Sequence, residues 1–153
     1  MDEPPRHTPS LDLLCPPQTG MLSLIRRVVA AVLREIGFAP EQASLIELSV
    51  DEACTNVIHH AYASAQTSDC GQPILRVQIC PALDHVAIRV IDQGRGVPPE
   101  GLCGVSSAEE YASRPQPKGL GMFIIGRFMD KVEYDSPPGS GIVLSMVKYL
   151  RVP

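Results

Sequence analysis

The stretch SVDEACTNVIHHAY, residues 49 to 62, constrains the fold more than any other segment, because it separates polar from apolar residues at helical spacing. Four polar residues fall on one side of a helix that turns by about 100° per residue: Glu52, Thr55, Asn56 and His59. Six apolar residues gather on the opposite side: Ile46, Val50, Ala53, Val57, Ile58 and Ala61. The segment therefore predicts an amphipathic helix with a chemically selective polar side.

Two residues of that polar side form a pair with useful chemistry. Glu52 and Asn56 are four positions apart and lie one above the other on a helix. Asn56 can present its oxygen to a hard cation such as magnesium, while Glu52 accepts a proton nearby. The same residues also fit an ordinary solvated helix face. Leu45 and Leu48, one to two turns earlier on this side, favour a polar face that emerges from a partly buried surface, as a pocket wall would.

The rest of the chain alternates between helical and strand patterns. Apolar spacing predicts a first helix over residues 21–36 that Gly37 ends, and Pro40 suits the first turn of a second helix that runs to about Tyr62. The β-branched runs ILRVQIC and HVAIRVID predict a hairpin, GLGMFIIGRFMD a helix, and KVEYDS with IVLSMVKYL a closing hairpin. This order predicts an α+β fold, a two-layer sandwich with helices on one face of a mostly antiparallel sheet.

The predicted domain organisation is simple. Residues 1–18 are interpreted as an N-terminal tail with an edge strand in LDLLC, and residues 19–151 as a single domain. The chain has 153 residues, of which 44% are hydrophobic, enough to build one core. A segment rich in proline and glycine, at about 97–118, is longer than a loop that only connects two elements usually is. It is predicted to be a mobile lid.

Composition excludes several classes of function. Thirteen basic and seventeen acidic residues give a net charge of −4 without a basic stripe, which argues against direct nucleic-acid binding. The acidic, proline-rich N-terminus is unlike a secretory signal, and the chain has no apolar run of membrane-spanning length. The five cysteines are odd in number and form no CxxC pair, so neither a disulfide framework nor a zinc site is expected. We therefore expect a cytoplasmic protein without a membrane partner.

A second motif, IDQGRG, follows directly after a predicted strand. Asp92 at the strand end can hold a carboxylate rigidly in a pocket, while Gly94 and Gly96 let a flat ligand approach the backbone. The amino group of a purine would be a fitting partner for that carboxylate. The alternative is a tight Asp-Gly turn without a ligand.

A third motif, KGLGMFIIG, opens the third predicted helix. Gly119 and Gly121 stand at its start, where free N–H groups and the helix dipole favour phosphate oxygens. The alternative is an ordinary glycine-rich entry into a helix.

The order of these motifs resembles the GHKL ATP-binding superfamily over about residues 20 to 150. Within it, DEACTNVIHHAY is most similar to the N box of the anti-sigma-factor serine/threonine kinases of bacterial partner-switching systems. The resemblance implies a Bergerat-type ATP-binding fold with ATP and Mg²⁺ as cofactors. By the same resemblance, Glu52 is the general base, Asn56 the magnesium ligand and Asp92 the carboxylate that binds adenine. Gly94 and Gly96 are then the glycines of the adenine box, and Gly119 and Gly121 the glycines at the end of the lid.

The chain departs from the family pattern at two positions. Lys118 stands before the lid-end glycines, where the family often has a small hydroxyl residue, and it can contact the terminal phosphates or face solvent. Near the last hairpin the family often has Gly-Thr, whereas this chain has Ser140 between two glycines, a hydroxyl that can take the same place near the nucleotide. His59, His60 and Cys54 together would suggest a metal site, but Cys54 points to the apolar side and no transition metal is expected.

By this resemblance the chain is expected to be a Mg-ATP-dependent serine/threonine protein kinase and anti-sigma factor. It would phosphorylate an anti-anti-sigma partner of the STAS type, sequester a sigma factor, and form a homodimer. One alternative is a nucleotide-gated binding module without kinase activity, which has no need of a base at Glu52. Another is a histidine-kinase-type catalytic domain, which is less favoured because no dimerisation helix with a phosphoacceptor histidine precedes the domain.

Overall fold

The computed structural model of the chain describes residues 9–64, 74–92, 120–135 and 142–151, with the side chains of 60–64 excepted. Three α-helices lie in these ranges: α1 (Leu22–Ile36), α2 (Pro40–Ser64) and α3 (Leu120–Phe128). Five strands accompany them: β1 (Leu11–Cys15), β2 (Leu75–Pro81), β3 (His85–Asp92), β4 (Lys131–Asp135) and β5 (Ile142–Tyr149). All of the predicted helices and strands are confirmed.

The five described strands form one sheet in the order β1-β2-β3-β5-β4, and each neighbouring pair is antiparallel. Among the strands that the structure describes, β1 pairs with β2 alone and lies at one edge of the sheet. The predicted pairing of β2 with β3 and that of β4 with β5 are both present. β5 lies between β3 and β4, so the pairing of β3 with β5 joins the two hairpins. The predicted mostly antiparallel sheet is therefore confirmed.

Alternation along the strands gives the sheet two different faces. In β2, Leu75, Val77 and Ile79 are fully buried, whereas Arg76 and Gln78 between them are only half-buried. The buried face meets the helices, and the other face carries a row of directly opposed polar residues: Asp12, Gln78, Arg89, Ser145 and Glu133. The helices thus cover one face of the sheet, as predicted for a two-layer sandwich.

One hydrophobic cluster joins the two layers. Helix α1 contributes Ile25, Val29 and Leu33 to it, with 3% of the Ile25 side chain exposed and none of the other two. The remaining members come from α2, α3, the strands and the residues next to them: Phe38, Ile46, Val50, Ala53, Cys54, Leu75, Val77, Ile79, Val86, Ile88, Val90, Ile125, Met129, Leu144 and Met146. Burial of this apolar surface is the main force that holds the helices on the sheet.

The end of α1 follows the sequence prediction. Gly37 has a φ of 99°, in the left-handed region that favours glycine, and its N–H donates to the carbonyls of Leu33 and Arg34 at 3.1 Å. The N–H of Phe38 donates to the same Leu33 carbonyl at 3.1 Å. α2 then begins at Pro40, whose missing N–H is tolerated in the first turn of a helix.

A polar cluster links the end of α3 to β5. Lys148 Nζ donates to the carbonyl of Phe128 at 2.7 Å and to Asp130 Oδ1 at 3.2 Å. The N–H of Tyr149 donates to Asp130 Oδ2 at 2.9 Å, and Arg151 contacts Oδ1 at 3.2 Å. This Asp130 clasp, formed by Phe128, Asp130, Lys148, Tyr149 and Arg151, fixes where α3 ends relative to the sheet.

Within the described ranges, no helix combines the length and the apolar composition that a membrane crossing requires.

Candidate functional site

The polar side of α2 is partly buried at the residues that the sequence analysis proposed for the site. Glu52, Thr55 and Asn56 are half-buried, and His59 is exposed. On the opposite side, Ile46, Val50, Ala53 and Ile58 are buried, which confirms the predicted amphipathic helix. The polar residues therefore lie on the side of α2 that the core does not use.

The buried side of α2 also holds Cys54, which is fully buried. Burial raises the pKa of its thiol to about 12, with smaller contributions from Asp51 and Cys15. At neutral pH the thiol is therefore protonated, and it is neither a good nucleophile nor a good metal ligand. The burial confirms the prediction that Cys54 points to the apolar side.

Helix α3 lies against the polar side of α2, and Gly121, its second residue, is where they meet at the site. A Cβ atom placed on Gly121 would be 2.7 Å from Glu52 Oε2 and 3.6 Å from Asn56 Nδ2. Only a residue without a side chain leaves the Glu52 carboxylate where it is. The structure thus brings together three predicted site residues from two motifs far apart in the sequence.

Asp92 is the last residue of β3 and pairs with Leu75 on one side and Ile142 on the other. Its side chain is buried, with 4% exposed, although burial of a carboxylate costs free energy. The strand on each side fixes its backbone, and α2 packs against β3. The prediction that Asp92 ends a strand is confirmed.

Two features of α2 were not predicted from the sequence. Ser49 is fully buried one turn before Glu52, and its hydroxyl donates to the carbonyl of Leu45 at 2.9 Å. Asp51, next to Glu52, accepts from Arg26 of α1 at 3.0 Å, with half of the arginine side chain exposed. The ion pair depends on how α1 and α2 pack, and a serine or aspartate among the polar residues of a helix carries no distinct sequence signal.

One sequence expectation about this face is wrong. Leu45 and Leu48 were expected on a partly buried surface before Glu52, but both side chains are exposed, by 37% and 39%. Among the described elements it is α3 that shelters the polar side of α2, and it does so at Glu52 and Asn56. The shelter around Glu52 therefore comes from helix packing and does not extend from the two leucines.

Several predicted site residues lie outside the described residues: Gly94, Gly96, Lys118, Gly119 and Ser140. The predicted lid at about 97–118 lies there as well. Their roles stay predictions.

The site is on the helical side of the sheet. A surface cavity of about 910 Å³ on the other face does not include Glu52, Asn56, Asp92 or Gly121 in its lining. Nine residues line that cavity: Arg76, Gln78, Arg89, Ile91, Glu133, Tyr134, Asp135, Val143 and Ser145.

The chemistry of the described site residues fits Mg-ATP. Magnesium commonly takes one or two protein oxygens and completes its shell with phosphates and water, and the Asn56 carboxamide has such an oxygen. The backbone of α3 at Gly121 is open to close approach because no side chain covers it. A buried carboxylate at Asp92 can accept a hydrogen bond from an amino group.

Comparison with known proteins gives a consistent result. The model of a family described as "Histidine kinase-like ATPase domain" matches residues 15–148. A protein named serine-protein kinase RsbW, from Halalkalibacterium halodurans, is 28% identical over 149 residues, which cover 95% of this chain and 86% of the relative.

Two further relatives are named anti-sigma F factor. The one from Pasteuria penetrans is 34% identical over 131 residues, covering 82% of this chain and 81% of the relative. The one from Caldanaerobacter subterraneus subsp. tengcongensis is 34% identical over 134 residues, covering 84% of this chain and 85% of the relative. The similarity therefore extends over most of each protein.

Proposed function

The chain belongs to the histidine kinase-like ATPase domain family, and on that premise we propose that it is a Mg-ATP-dependent serine/threonine protein kinase that acts as an anti-sigma factor. Its protein substrate is an anti-anti-sigma protein of the STAS type, and it sequesters a sigma factor. The names of the relatives, serine-protein kinase and anti-sigma factor, support both halves of this proposal.

The observation that carries the proposal is the contact of Gly121 with Glu52 and Asn56. It places a carboxylate and a carboxamide beside the first turn of α3, where a helix favours phosphate oxygens. A binding module without chemistry has no need of a general base at that point, where Glu52 is half-buried. A kinase needs a group there that accepts the proton of the attacking hydroxyl.

Each described site residue has one task in this proposal. Mg-ATP, when bound, supplies the phosphoryl group. Glu52 accepts the proton of the substrate hydroxyl, Asn56 provides an oxygen to magnesium, and Asp92 accepts a hydrogen bond from the adenine amino group. The N-terminal turn of α3 around Gly121 orients the phosphates through its free N–H groups.

The remaining parts of the proposal rest on the resemblance of the sequence. Gly94 and Gly96 border the adenine, and Gly119 follows the end of the lid at about 97–118. Lys118 contacts the terminal phosphates, and Ser140 provides a hydroxyl near the nucleotide. The resemblance also supports a homodimer, and the composition supports a cytoplasmic protein that binds no nucleic acid or membrane directly.

The experiment compares wild type with Glu52→Gln. Both proteins are incubated with radiolabelled Mg-ATP and with each STAS-domain protein encoded near the gene. Partner affinity and phosphate incorporation are recorded together. We expect Glu52→Gln to bind nucleotide and partner as wild type does and to transfer phosphate about 10²–10⁴-fold more slowly, the usual contribution of a positioned base. Glu47→Gln, on the same helix and outside the site, is the matched control and transfers at the wild-type rate.

The other outcomes identify the alternatives. Wild type that binds a STAS partner tightly but transfers no phosphate is a nucleotide-gated binding module. Phosphate that is lost from the product in acid marks a histidine-kinase-type reaction, because phosphohistidine is acid-labile and phosphoserine is not. Transfer by Glu52→Gln at the wild-type rate excludes Glu52 as the base.

A further inference from the structure

Gly121 and Glu52 are in closer contact than any side chain at position 121 would allow. The position of a Cβ atom on Gly121 lies 2.7 Å from Glu52 Oε2, whereas an ordinary van der Waals contact begins at 3.4 Å. It also lies 3.5 Å from Glu52 Cβ and 3.6 Å from Asn56 Nδ2, which are ordinary contacts. The conflict is therefore confined to the tip of the Glu52 side chain.

We infer that Gly121 is a positioning residue for Glu52: the missing side chain at 121 decides where the carboxylate of the proposed base rests. This role is separate from any approach of the Gly121 backbone to a phosphate. It rests on the proposed function for its kinetic consequence, while the placement of the carboxylate can be measured without nucleotide.

The geometry also predicts how a methyl group at position 121 would affect the fold and the Glu52 carboxylate. Gly121 is in the first turn of α3 and has no positive φ, so alanine fits its backbone. The tip of a glutamate is flexible, and it can rotate away from the new methyl group at little cost in stability. Gly121→Ala should therefore fold normally and displace the carboxylate from 2.7 Å to at least 3.4 Å from the new carbon atom.

A displacement on this scale matters for proton transfer, because a misplacement of about 1 Å can cost about 100-fold in rate. We expect Gly121→Ala to lower the rate of phosphoryl transfer about 10- to 100-fold. The affinity for Mg-ATP should change less than about 3-fold, since the added methyl group is directed at Glu52 and the backbone N–H groups of α3 are kept.

Gly126 provides the matched control. It lies in the same helix, is exposed, and has no atom within 4 Å of the position of an added Cβ. Gly126→Ala makes the same chemical change to the same helix without meeting Glu52. It should leave the rate and the nucleotide affinity at their wild-type values.

The test has three readouts on the full chain. The first is the ¹³C resonance of the Glu52 side-chain carboxyl group without nucleotide, assigned by its loss in Glu52→Gln. We expect it to shift in Gly121→Ala and to stay in place in Gly126→Ala. The second is the calorimetric affinity for Mg-ATP. The third is the transfer rate to a STAS-domain substrate, with Gly121→Ala measured in the wild-type and in the Glu52→Gln background.

If Gly121 acts through Glu52, Gly121→Ala has no further effect on the rate once Glu52 is glutamine. A rate loss of equal size in both backgrounds, together with a rise of 10-fold or more in the dissociation constant of Mg-ATP, overturns the inference and assigns Gly121 to phosphate binding alone. An unmoved carboxyl resonance in Gly121→Ala overturns it as well. If wild type neither binds Mg-ATP nor transfers phosphate, the proposed function fails, and the carboxyl resonance still decides where Gly121 places Glu52.

Discussion

At the scale of single residues, Asp92 stands out as a buried charged residue of the proposed site. It lies at the end of β3 with 4% of the residue exposed. A buried carboxylate is stable in water-free surroundings only with hydrogen-bond donors around it. A ligand amino group that donates to this carboxylate gains a charge-assisted hydrogen bond, which is about twice as strong as a neutral one.

We therefore predict that Asp92→Asn lowers the affinity for Mg-ATP by about 1.5–3 kcal/mol, the range for a hydrogen bond to a charged group. The substitution keeps the size of the side chain and removes its charge. Isothermal titration calorimetry measures the change. Asp135→Asn, at the exposed end of β4, is the control and should bind like wild type. Unchanged affinity in Asp92→Asn would mean that this carboxylate takes no part in nucleotide recognition.

Residues of the site differ in how far the sequence could predict them. Asp92 follows an alternating strand, so its place at a strand end could be derived from local pattern alone. Glu52 and Asn56 share a helix face by their spacing. The contact of Gly121 with Glu52 could not be derived, because it depends on how α3 packs against α2, and that packing is decided by the core. For the same reason the exposure of Leu45 and Leu48 was missed.

At the scale of helices and strands, the Asp130 clasp decides where α3 ends. It joins the last carbonyl of that helix to β5 through Lys148, whose side chain is 13% exposed. Burial alone would raise the pKa of Asp130, but hydrogen bonds from the Tyr149 N–H and Lys148, with the charges of Lys148 and Arg151, outweigh burial and lower that pKa. The folded state therefore favours the ionised carboxylate.

The sign of the resulting pH dependence follows directly. A carboxyl group whose pKa is lowered by folding stabilises the protein above its unfolded pKa of about 3.9, and this stabilisation is lost as the pH falls through the lower folded value. We predict that urea unfolding of wild type between pH 6 and pH 3 shows a larger loss of stability than that of Asp130→Asn. Glu133→Gln, exposed on β4, is the control and should follow wild type. The same pH dependence in wild type and Asp130→Asn would contradict the prediction.

The helices and strands could be predicted because the periodicities that identify them are local. The order of the strands in the sheet could not be predicted. The alternation in β2, β3, β4 and β5 identified two hairpins. That β5 lies next to β3, with β4 at the edge, depends on contacts between residues far apart, such as the pairing of Ile91 with Val143. No short-range pattern contains that information.

At the scale of the whole molecule, stability comes from the cluster shared by the helices and the sheet. Leu33 and Leu24 both belong to α1, but Leu33 is fully buried in the cluster and 56% of Leu24 is exposed. The two leucines have the same side chain and lie in the same helix, and they differ only in whether they are buried or exposed. They therefore make a matched pair for testing the two-layer core.

We predict that Leu33→Ala lowers the free energy of unfolding by about 2–5 kcal/mol, the usual cost of a cavity in a packed core. Leu24→Ala should change it by about 0.5 kcal/mol or less, as surface substitutions do. Chemical denaturation of both variants measures the difference. Equal losses would mean that α1 does not lie on the sheet as described.

The pairing of β1 with β2 also has a consequence for how the protein is made. The partner residues of β1 begin 60 residues later along the chain, since Cys15 pairs with Leu75. At about 5–20 residues per second, synthesis delays that pairing by about 3–12 s. Through this interval β1 has no partner strand, and Leu13, the one leucine of β1 that is half-buried in the folded protein, stays uncovered until the hairpin of β2 and β3 emerges.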